Sequence, residues 1–268
     1  MPRVIAIANQ KGGVGKTTTA INLGASLAVA ERKTLIIDMD PQGNATSGMG
    51  VDRARINATM YDVLVDQAPL DSAVVSGLHF PFLDIAPADQ DLVGAEVELV
   101  GRPERELLLR KALQSARNTY EYILVDCPPS LGLLTLNTLA AADSVLIPIQ
   151  CEFYALEGLS QLLNTVRLVQ QNLNPRLQVE GVLLTMYDQR LNLSRQVADE
   201  AKGYFGDKVY RTTIPRNVRL AEAPSFGKPI VLYDILSQGA QCYLALAKEV
   251  IAYKPQPTET KAGAGRTP

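Results

Sequence analysis

One run near the start of the chain constrains its fold more than any other feature. The apolar stretch Val4-Ile5-Ala6-Ile7-Ala8 leads into Lys11-Gly12-Gly13-Val14-Gly15-Lys16-Thr17-Thr18, and a helical pattern follows over Thr17–Ala30. A strand, a glycine-rich loop and a helix in that order form the setting of a phosphate-binding loop. Glycines let backbone N–H groups turn inward onto phosphate oxygens, and the helix start adds its positive end. Lys16 supplies a point charge for the β- and γ-phosphates of ATP, and Thr17 a hydroxyl for Mg²⁺. The common pattern opens with a glycine five residues before the Gly-Lys pair. Gln10 stands there instead, and a second lysine, Lys11, begins the loop.

Short apolar runs alternate with helical patterns along the rest of the chain. Strands are expected at Val4–Ala8, Thr34–Ile37, Leu83–Ala86, Tyr122–Val125, Ser144–Ile149, Val179–Thr185 and Val209–Thr213. Helices are expected at Thr17–Ala30, Arg105–Asn118, Leu133–Ala141, Leu156–Asn172, Ser194–Phe205 and Ser237–Ala252. Several strand runs are apolar throughout, as strands covered on both faces are. The alternation predicts an α/β fold, a doubly wound, mostly parallel sheet flanked by helices. The 268 residues, 47% of them hydrophobic, fit one large domain over residues 1–253. The tail 254–268, rich in Pro, Gly, Thr and Ala, reads as a disordered end. Gly43–Asp52, which holds several glycines and asparagines, reads as a mobile loop.

Two acidic motifs complete a site. Asp38 and Asp40 end the run Leu35-Ile36-Ile37, and Asp126 ends Ile123-Leu124-Val125. Ligands bind at the carboxyl edge of open α/β sheets. A carboxylate there can hold Mg²⁺ through water, since this ion keeps much of its hydration. Taken alone, either motif also reads as a strand cap.

Cys127, Cys151 and Cys242 form no CxxC pair, and the single histidine, His79, has no partner for a metal site. Both observations point to structural roles and to reduced thiols in a cytoplasmic protein. No run reaches the length of a membrane span. A net charge of −2 gives no global signal for a polyanion partner, so DNA binding would need a local patch.

Together these residues resemble the ParA/Soj partition ATPases, within the wider ParA/MinD class. The loop Lys11–Thr18, Asp-Met-Asp-Pro-Gln-Gly-Asn at 38–44 and Asp-Cys-Pro-Pro-Ser at 126–130 carry the likeness. So do Glu152-Phe153-Tyr154-Ala155-Leu156-Glu157-Gly158 and the stretch from Ile214-Pro215-Arg216-Asn217 to Glu222-Ala223-Pro224-Ser225. The resemblance spans about residues 3–252 and includes no separate N-terminal DNA-reading domain.

The resemblance implies an ATPase that forms a homodimer around two ATP molecules. Lys11 would reach across to the partner's phosphates, and Asp40 would position the attacking water. Met186, Pro215 and Asn217 would lie near adenine, and Glu152, Phe153 and Glu157 would face the partner's nucleotide. It further implies nonspecific binding of double-stranded DNA as the ATP dimer, location on the nucleoid, and slow hydrolysis stimulated by a ParB/Spo0J-type protein. Arg190, Arg216, Arg219, Lys228 and Lys248 are scattered basic residues, which alone read as solvated surface charges. With the resemblance, Arg190, Arg219, Lys228 and Lys248 become the candidates for DNA contact.

Other readings stay open on sequence alone. One is a positioner of cargo or of the division site, built on the same fold. A membrane-bound relative needs a C-terminal basic amphipathic helix, which the Pro- and Gly-rich end does not supply. A cluster-bearing redox protein needs paired cysteine ligands, and a bacterial tyrosine kinase usually carries a C-terminal tyrosine cluster.

Overall fold

The computed structural model describes residues 2–152 and 155–253, with the side chains of Arg53 and of residues 155–158 outside the description. The tail 254–268 and Phe153 lie outside the described residues, as does the side chain of Glu157.

Seven strands form one sheet: β1 (Arg3–Ile7), β2 (Thr34–Asp38), β3 (Leu83–Ala86), β4 (Tyr122–Asp126), β5 (Ser144–Gln150), β6 (Gln178–Tyr187) and β7 (Ile214–Pro215). Their order is β3-β2-β4-β1-β5-β6-β7, and every neighbouring pair is parallel. The helices in chain order are α1 (Lys16–Val29), α2 (Asn44–Gly48), α3 (Met60–Leu64), α4 (Leu70–Ala73), α5 (Leu92–Glu98) and α6 (Leu108–Ala116). They continue with α7 (Leu133–Ala141), α8 (Ala155–Asn172), α9 (Asn192–Phe205), α10 (Val218–Glu222), α11 (Ile230–Tyr233) and α12 (Gln238–Ala252).

Strand side chains alternate between the two faces, and here both faces are covered. Val4, Ala6, Leu35, Ile37, Ile123 and Val125 pack in one core with Leu109, Leu113, Leu139 and Leu162. Ile5, Ile7, Ile36 and Leu124 pack in a second core with Leu23 and Leu27 of α1 and Tyr243 and Leu246 of α12. That two-sided burial explains why these strands read as unbroken apolar runs. Gly24 lets α1 lie close to the sheet: a Cβ there would meet Ile36 Cδ1 at 2.8 Å.

Two expectations need correction. Val209–Thr213 is not a strand: Val209 makes one isolated bridge to Val182, and the last strand is Ile214–Pro215. The N–H groups of Arg211 and Thr212 instead donate to the Glu249 carboxylate of α12, at 2.9 and 2.8 Å, so a side chain takes the place of a ladder. Gly43–Asp52 is not a loose loop either. Gly43, at φ 61°, starts α2, whose Ala45, Thr46 and Gly48 are buried.

Candidate active site

β1 ends beneath the glycine-rich loop, and Asn9 sets the exit. Its Nδ2 donates to the Pro148 carbonyl at 2.7 Å, and its Oδ1 accepts from Lys11 N–H at 3.0 Å. Gly13 and Gly15 hold φ of 74° and 88°, a left-handed region that favours glycine. The Thr185 hydroxyl of β6 donates to the Val14 carbonyl at 2.9 Å and pins the far side of the loop. No side chain caps α1 at Gly15. Its first-turn N–H groups are thus available to an anion.

Lys16 is buried, with its Nζ donating to the Lys11 carbonyl at 3.2 Å. Burial lowers its pKa, while Asp126, Cys127 and Asp40 act the other way. A charged lysine with so little solvent is suited to a polyanion that reaches it.

Strand register brings the acids together. Asp38 and Asp126 stand opposite each other on β2 and β4, and Ile7 at the end of β1 pairs with Asp126. Both carboxylates are fully buried. Asp38 Oδ2 accepts from Thr46 N–H at 2.9 Å and Thr46 Oγ1–H at 2.8 Å, and Oδ1 from Asp40 N–H at 3.1 Å. Burial nevertheless pushes Asp38 up to about 6, with the Asp40 charge adding to it. Asp126 is in a harsher place: neither of its oxygens has a partner at full hydrogen-bond geometry, although the Thr17 hydroxyl lies close enough to favour the charged form. Burial first, then the Asp38 charge, raises it well above the usual carboxylate range, against Thr17 and Lys16.

An orphaned buried carboxylate beside a second one is what a hydrated divalent cation would satisfy. Among the described residues no group of three or more His, Cys, Asp or Glu could hold a metal ion directly. The Thr17 hydroxyl is a neighbour of Asp126 and counters the rise of its pKa. Asp40, one residue beyond Met39, is also buried, and its Oδ1 accepts from Gln42 N–H at 3.0 Å.

A cavity of about 180 Å³ opens beside the loop, lined by Gly15, Thr18, Met186, Pro215, Asn217 and Leu220 among others. Met186 holds φ of 50°, uncommon for a residue with a side chain and of a kind that gathers at ligand sites. The Asn217 side-chain oxygen caps α10 by accepting from Leu220 N–H at 3.3 Å. The three residues expected near a base thus line one cavity, next to the phosphate loop. A larger cavity, about 350 Å³, lies at Arg3 and Tyr122, the amino ends of β1 and β4, away from this edge.

Lys11 is half-exposed, and its Nζ lies 3.6 Å from Glu152 Oε2 of the same chain. Arg216 Nη2 lies 3.8 Å from Glu152 Oε1, and the Gln150 amide also donates to Glu152. The basic candidates are more dispersed. Arg190 grips Asp188 (Nη2–Oδ2 2.7 Å, Nε–Oδ1 3.0 Å) and pulls that carboxyl down to about 2. Arg219 pairs with Glu222 at 2.9 Å and Asp234 at 3.6 Å. Lys228 and Lys248 are exposed, one after Gly227 and one on α12.

Several site residues were not anticipated. Thr46 was hidden in the segment read as a loop, Asn9 precedes the motif, and Thr185 acts from a distant strand. His79 has the structural role expected of it: its Nε2 lies 2.9 Å from both the Met49 and Gly227 carbonyls. Cys127 and Cys151 are buried, and burial pushes each thiol up to about 12.

Comparison with known proteins agrees with this geometry. The family model described as "AAA domain" matches residues 2–179. The sporulation initiation inhibitor protein Soj of Bacillus subtilis (strain 168) is 60% identical over 252 residues, 94% of this chain and 99% of that protein. The chromosome partitioning protein ParA of Myxococcus xanthus (strain DK1622) is 59% identical over 249 residues, 93% of this chain and 88% of that one. Among solved structures, cobyrinic acid a,c-diamide synthase from Mycobacterium smegmatis, with bound ATP analog and magnesium, superposes with a TM-score of 0.81 at 37% identity, covering 94% of this chain and 95% of that chain. With the deviant loop, the paired strand-end aspartates and likeness over nearly the whole described chain, this protein belongs to the ParA/Soj family of chromosome-partitioning proteins.

Proposed function

We propose that the chain is an ATP-dependent DNA-segregation ATPase, a switch set by MgATP and reset by hydrolysis. The observation that carries this reading is convergence at one sheet edge. The open start of α1, buried Lys16, the orphaned Asp126 beside Asp38, and the cavity at Met186, Pro215 and Asn217 adjoin one another.

ATP would seat its phosphates on the N–H groups of Gly12, Gly13, Val14, Gly15, Lys16, Thr17 and Thr18, with adenine in the cavity. Mg²⁺, when bound, neutralises phosphate charge, and Thr17, with Asp38 and Asp126 acting through water, would hold it. Asp40, at the mouth of β2, would orient the attacking water. Two loaded chains would form the sandwich homodimer, each lending Lys11 to its partner's phosphates and closing over Glu152, Phe153 and Glu157. A charge supplied in trans at the transition state makes hydrolysis depend on assembly.

The dimer would bind duplex DNA on the nucleoid without sequence preference through Arg190, Arg219, Lys228 and Lys248. A ParB/Spo0J-type protein would stimulate hydrolysis and release it. No described helix is long and apolar enough to cross a membrane, and the reading assigns no membrane step. A second reading, a positioner of cargo or division site, draws on the ion pairs that already occupy Arg190 and Arg219.

Two variants test the cycle. Lys16→Ala should lose MgATP binding in a nucleotide titration. Asp40→Ala should bind ATP and accumulate as a long-lived dimer by light scattering. Phosphate release by Asp40→Ala near the wild-type rate would remove Asp40 from the chemistry.

A further inference from the structure

Lys228 stands between two ties that lead back to the nucleotide site by separate routes. The first starts at Asp38, which Thr46 of α2 holds through its N–H and its hydroxyl. The chain leaving α2 then meets the turn before Lys228, backbone against backbone. A Cβ on Gly50 would lie 2.7 Å from the Gly227 carbonyl oxygen, and one on Gly227 would lie 2.6 Å from Gly50 Cα. Both glycines hold positive φ, 66° and 61°, so the contact needs glycine on each side. His79 closes it. Its Nε2 lies 2.9 Å from the Met49 carbonyl, next to Gly50, and 2.9 Å from the Gly227 carbonyl. Both neighbours only accept, so Nε2 carries the ring proton and shares it between them.

The second route runs through Asn22 of α1, which is buried. Its Nδ2 donates to the Thr18 carbonyl, in the first turn of α1, at 2.7 Å, and its Oδ1 accepts from Ile230 N–H at 2.7 Å. Gly227 and Ile230 flank Lys228-Pro229, and Lys228 itself is exposed. The base of this lysine is therefore set by α2 on one side and by the helix of the phosphate loop on the other. The Asn22 tie lies inside the fold. The His79 tie joins two turns near the surface, where hydrogen bonds open first.

We infer that His79 is a positioning residue for DNA binding: it fastens the turn before Lys228 to α2, so that the lysine takes its DNA-binding place when nucleotide and Mg²⁺ have set the Asp38–Thr46 end of α2. This rests on the MgATP-set DNA binding proposed above. His79 touches neither ATP nor DNA and acts through Gly227. Coupling of this kind is reciprocal: whatever factor MgATP adds to DNA affinity, DNA adds to MgATP affinity.

The test uses the full chain and an unrelated fluorescent duplex, with MgATP and without. His79→Phe keeps a ring and removes the donor, and His79→Gln restores an N–H donor. With MgATP, His79→Phe should bind the duplex at least about 5-fold more weakly than wild type. Its duplex binding without nucleotide, ATP-driven dimerisation and basal hydrolysis should stay near wild type. The gain in MgATP affinity that the duplex gives should shrink by the same factor, and His79→Gln should recover most of both losses. In a Lys228→Ala background, His79→Phe should weaken binding no further, because the two residues act as one unit. Duplex affinity of His79→Phe that matches wild type with MgATP, an equal loss with and without nucleotide, or full additivity with Lys228→Ala overturns the role. An equal loss in His79→Phe and His79→Gln reduces His79 to packing, and loss of dimerisation in His79→Phe moves the contact to dimer assembly; both overturn it. Lys228→Ala alone, a change at an exposed side chain, must weaken MgATP-dependent binding, and unchanged affinity there overturns the role without any His79 variant. A wild type whose duplex binding ignores MgATP fails earlier, at the proposed switch itself.

Discussion

Thr46 holds Asp38 with both its N–H, at 2.9 Å, and its hydroxyl, at 2.8 Å. The same hydroxyl oxygen accepts from Ala88 N–H at 3.0 Å, so one threonine ties the end of β2 to the chain leaving β3. Thr46→Val keeps the shape, removes a donor from a buried carboxylate and leaves Ala88 N–H without its acceptor. Outer partners of this kind typically change metal affinity by roughly 10–100-fold. The Mg²⁺ concentration for half-maximal ATP hydrolysis should therefore rise about 10-fold in Thr46→Val and return close to wild type in Thr46→Ser. Equal Mg²⁺ dependence in all three proteins would reduce Thr46 to a packing residue.

The buried acids also set a pH dependence. Asp38 titrates at about 6 in the fold against an ordinary 3.8, because burial and the Asp40 charge outweigh its hydrogen bonds. Between those values the folded chain binds more protons than the unfolded one, so stability falls as pH rises through the window. The shift corresponds to on the order of 3 kcal/mol. Asp126, raised by burial and by Asp38, carries the fall to higher pH. The nucleotide-free protein should melt at a higher temperature at pH 5.5 than at pH 7.5 (values chosen to straddle about 6). Asp126→Asn should flatten that slope and stabilise the free protein. MgATP should reverse the trend, since it favours the ionised carboxylates. A melting temperature that climbs from the acid to the neutral value without nucleotide would contradict the assignment.

Lys11 sits beside Glu152 of its own chain at 3.6 Å, a pair exposed enough to contribute little to stability. Moving Lys11 to a partner's phosphates should cost little. Lys11→Ala should bind MgATP as well as wild type, fail to dimerise, and hydrolyse ATP at least roughly 10²-fold more slowly, by comparison with charges supplied in trans elsewhere. ATP-driven dimerisation of Lys11→Ala at wild-type concentrations would remove the cross-dimer role.

The parts of the site legible in the sequence are those whose local chemistry is self-contained. Gly13 and Gly15 need left-handed backbone, and Asp38 and Asp126 follow apolar strands, so pattern alone located them. The alternating strands and helices were legible for the same reason, because two-sided burial leaves unbroken apolar runs. Thr46, Thr185 and Asn9 act through partners 8, 171 and 139 residues away, which no local pattern encodes. The false strand at Val209–Thr213 had the right composition, but the N–H groups of Arg211 and Thr212 are taken by Glu249 of α12. The supposed loop at Gly43–Asp52 is ordered by the reach of Asp38 to Thr46. Met186, Pro215 and Asn217 came from family likeness, and the cavity they line gives that assignment a physical setting.

The central claim is an ATP-set grip on DNA, and its most direct test is binding of unrelated duplexes across a salt series, with MgATP and without. The chain carries a net charge of −2, and Arg190 and Arg219 are held by Asp188 and Glu222. On the proposed function, DNA would have to compete those carboxylates away, and dimerisation would have to gather the basic residues on one face. With MgATP, wild type should bind every duplex alike, with affinity falling steeply as salt rises. Arg190→Glu with Arg219→Glu should dimerise normally, bind far more weakly, and lower the slope of log affinity against log salt by roughly one unit for each lost contact. Wild-type binding that is indifferent to MgATP, or a double variant with unchanged affinity and slope, would contradict the account.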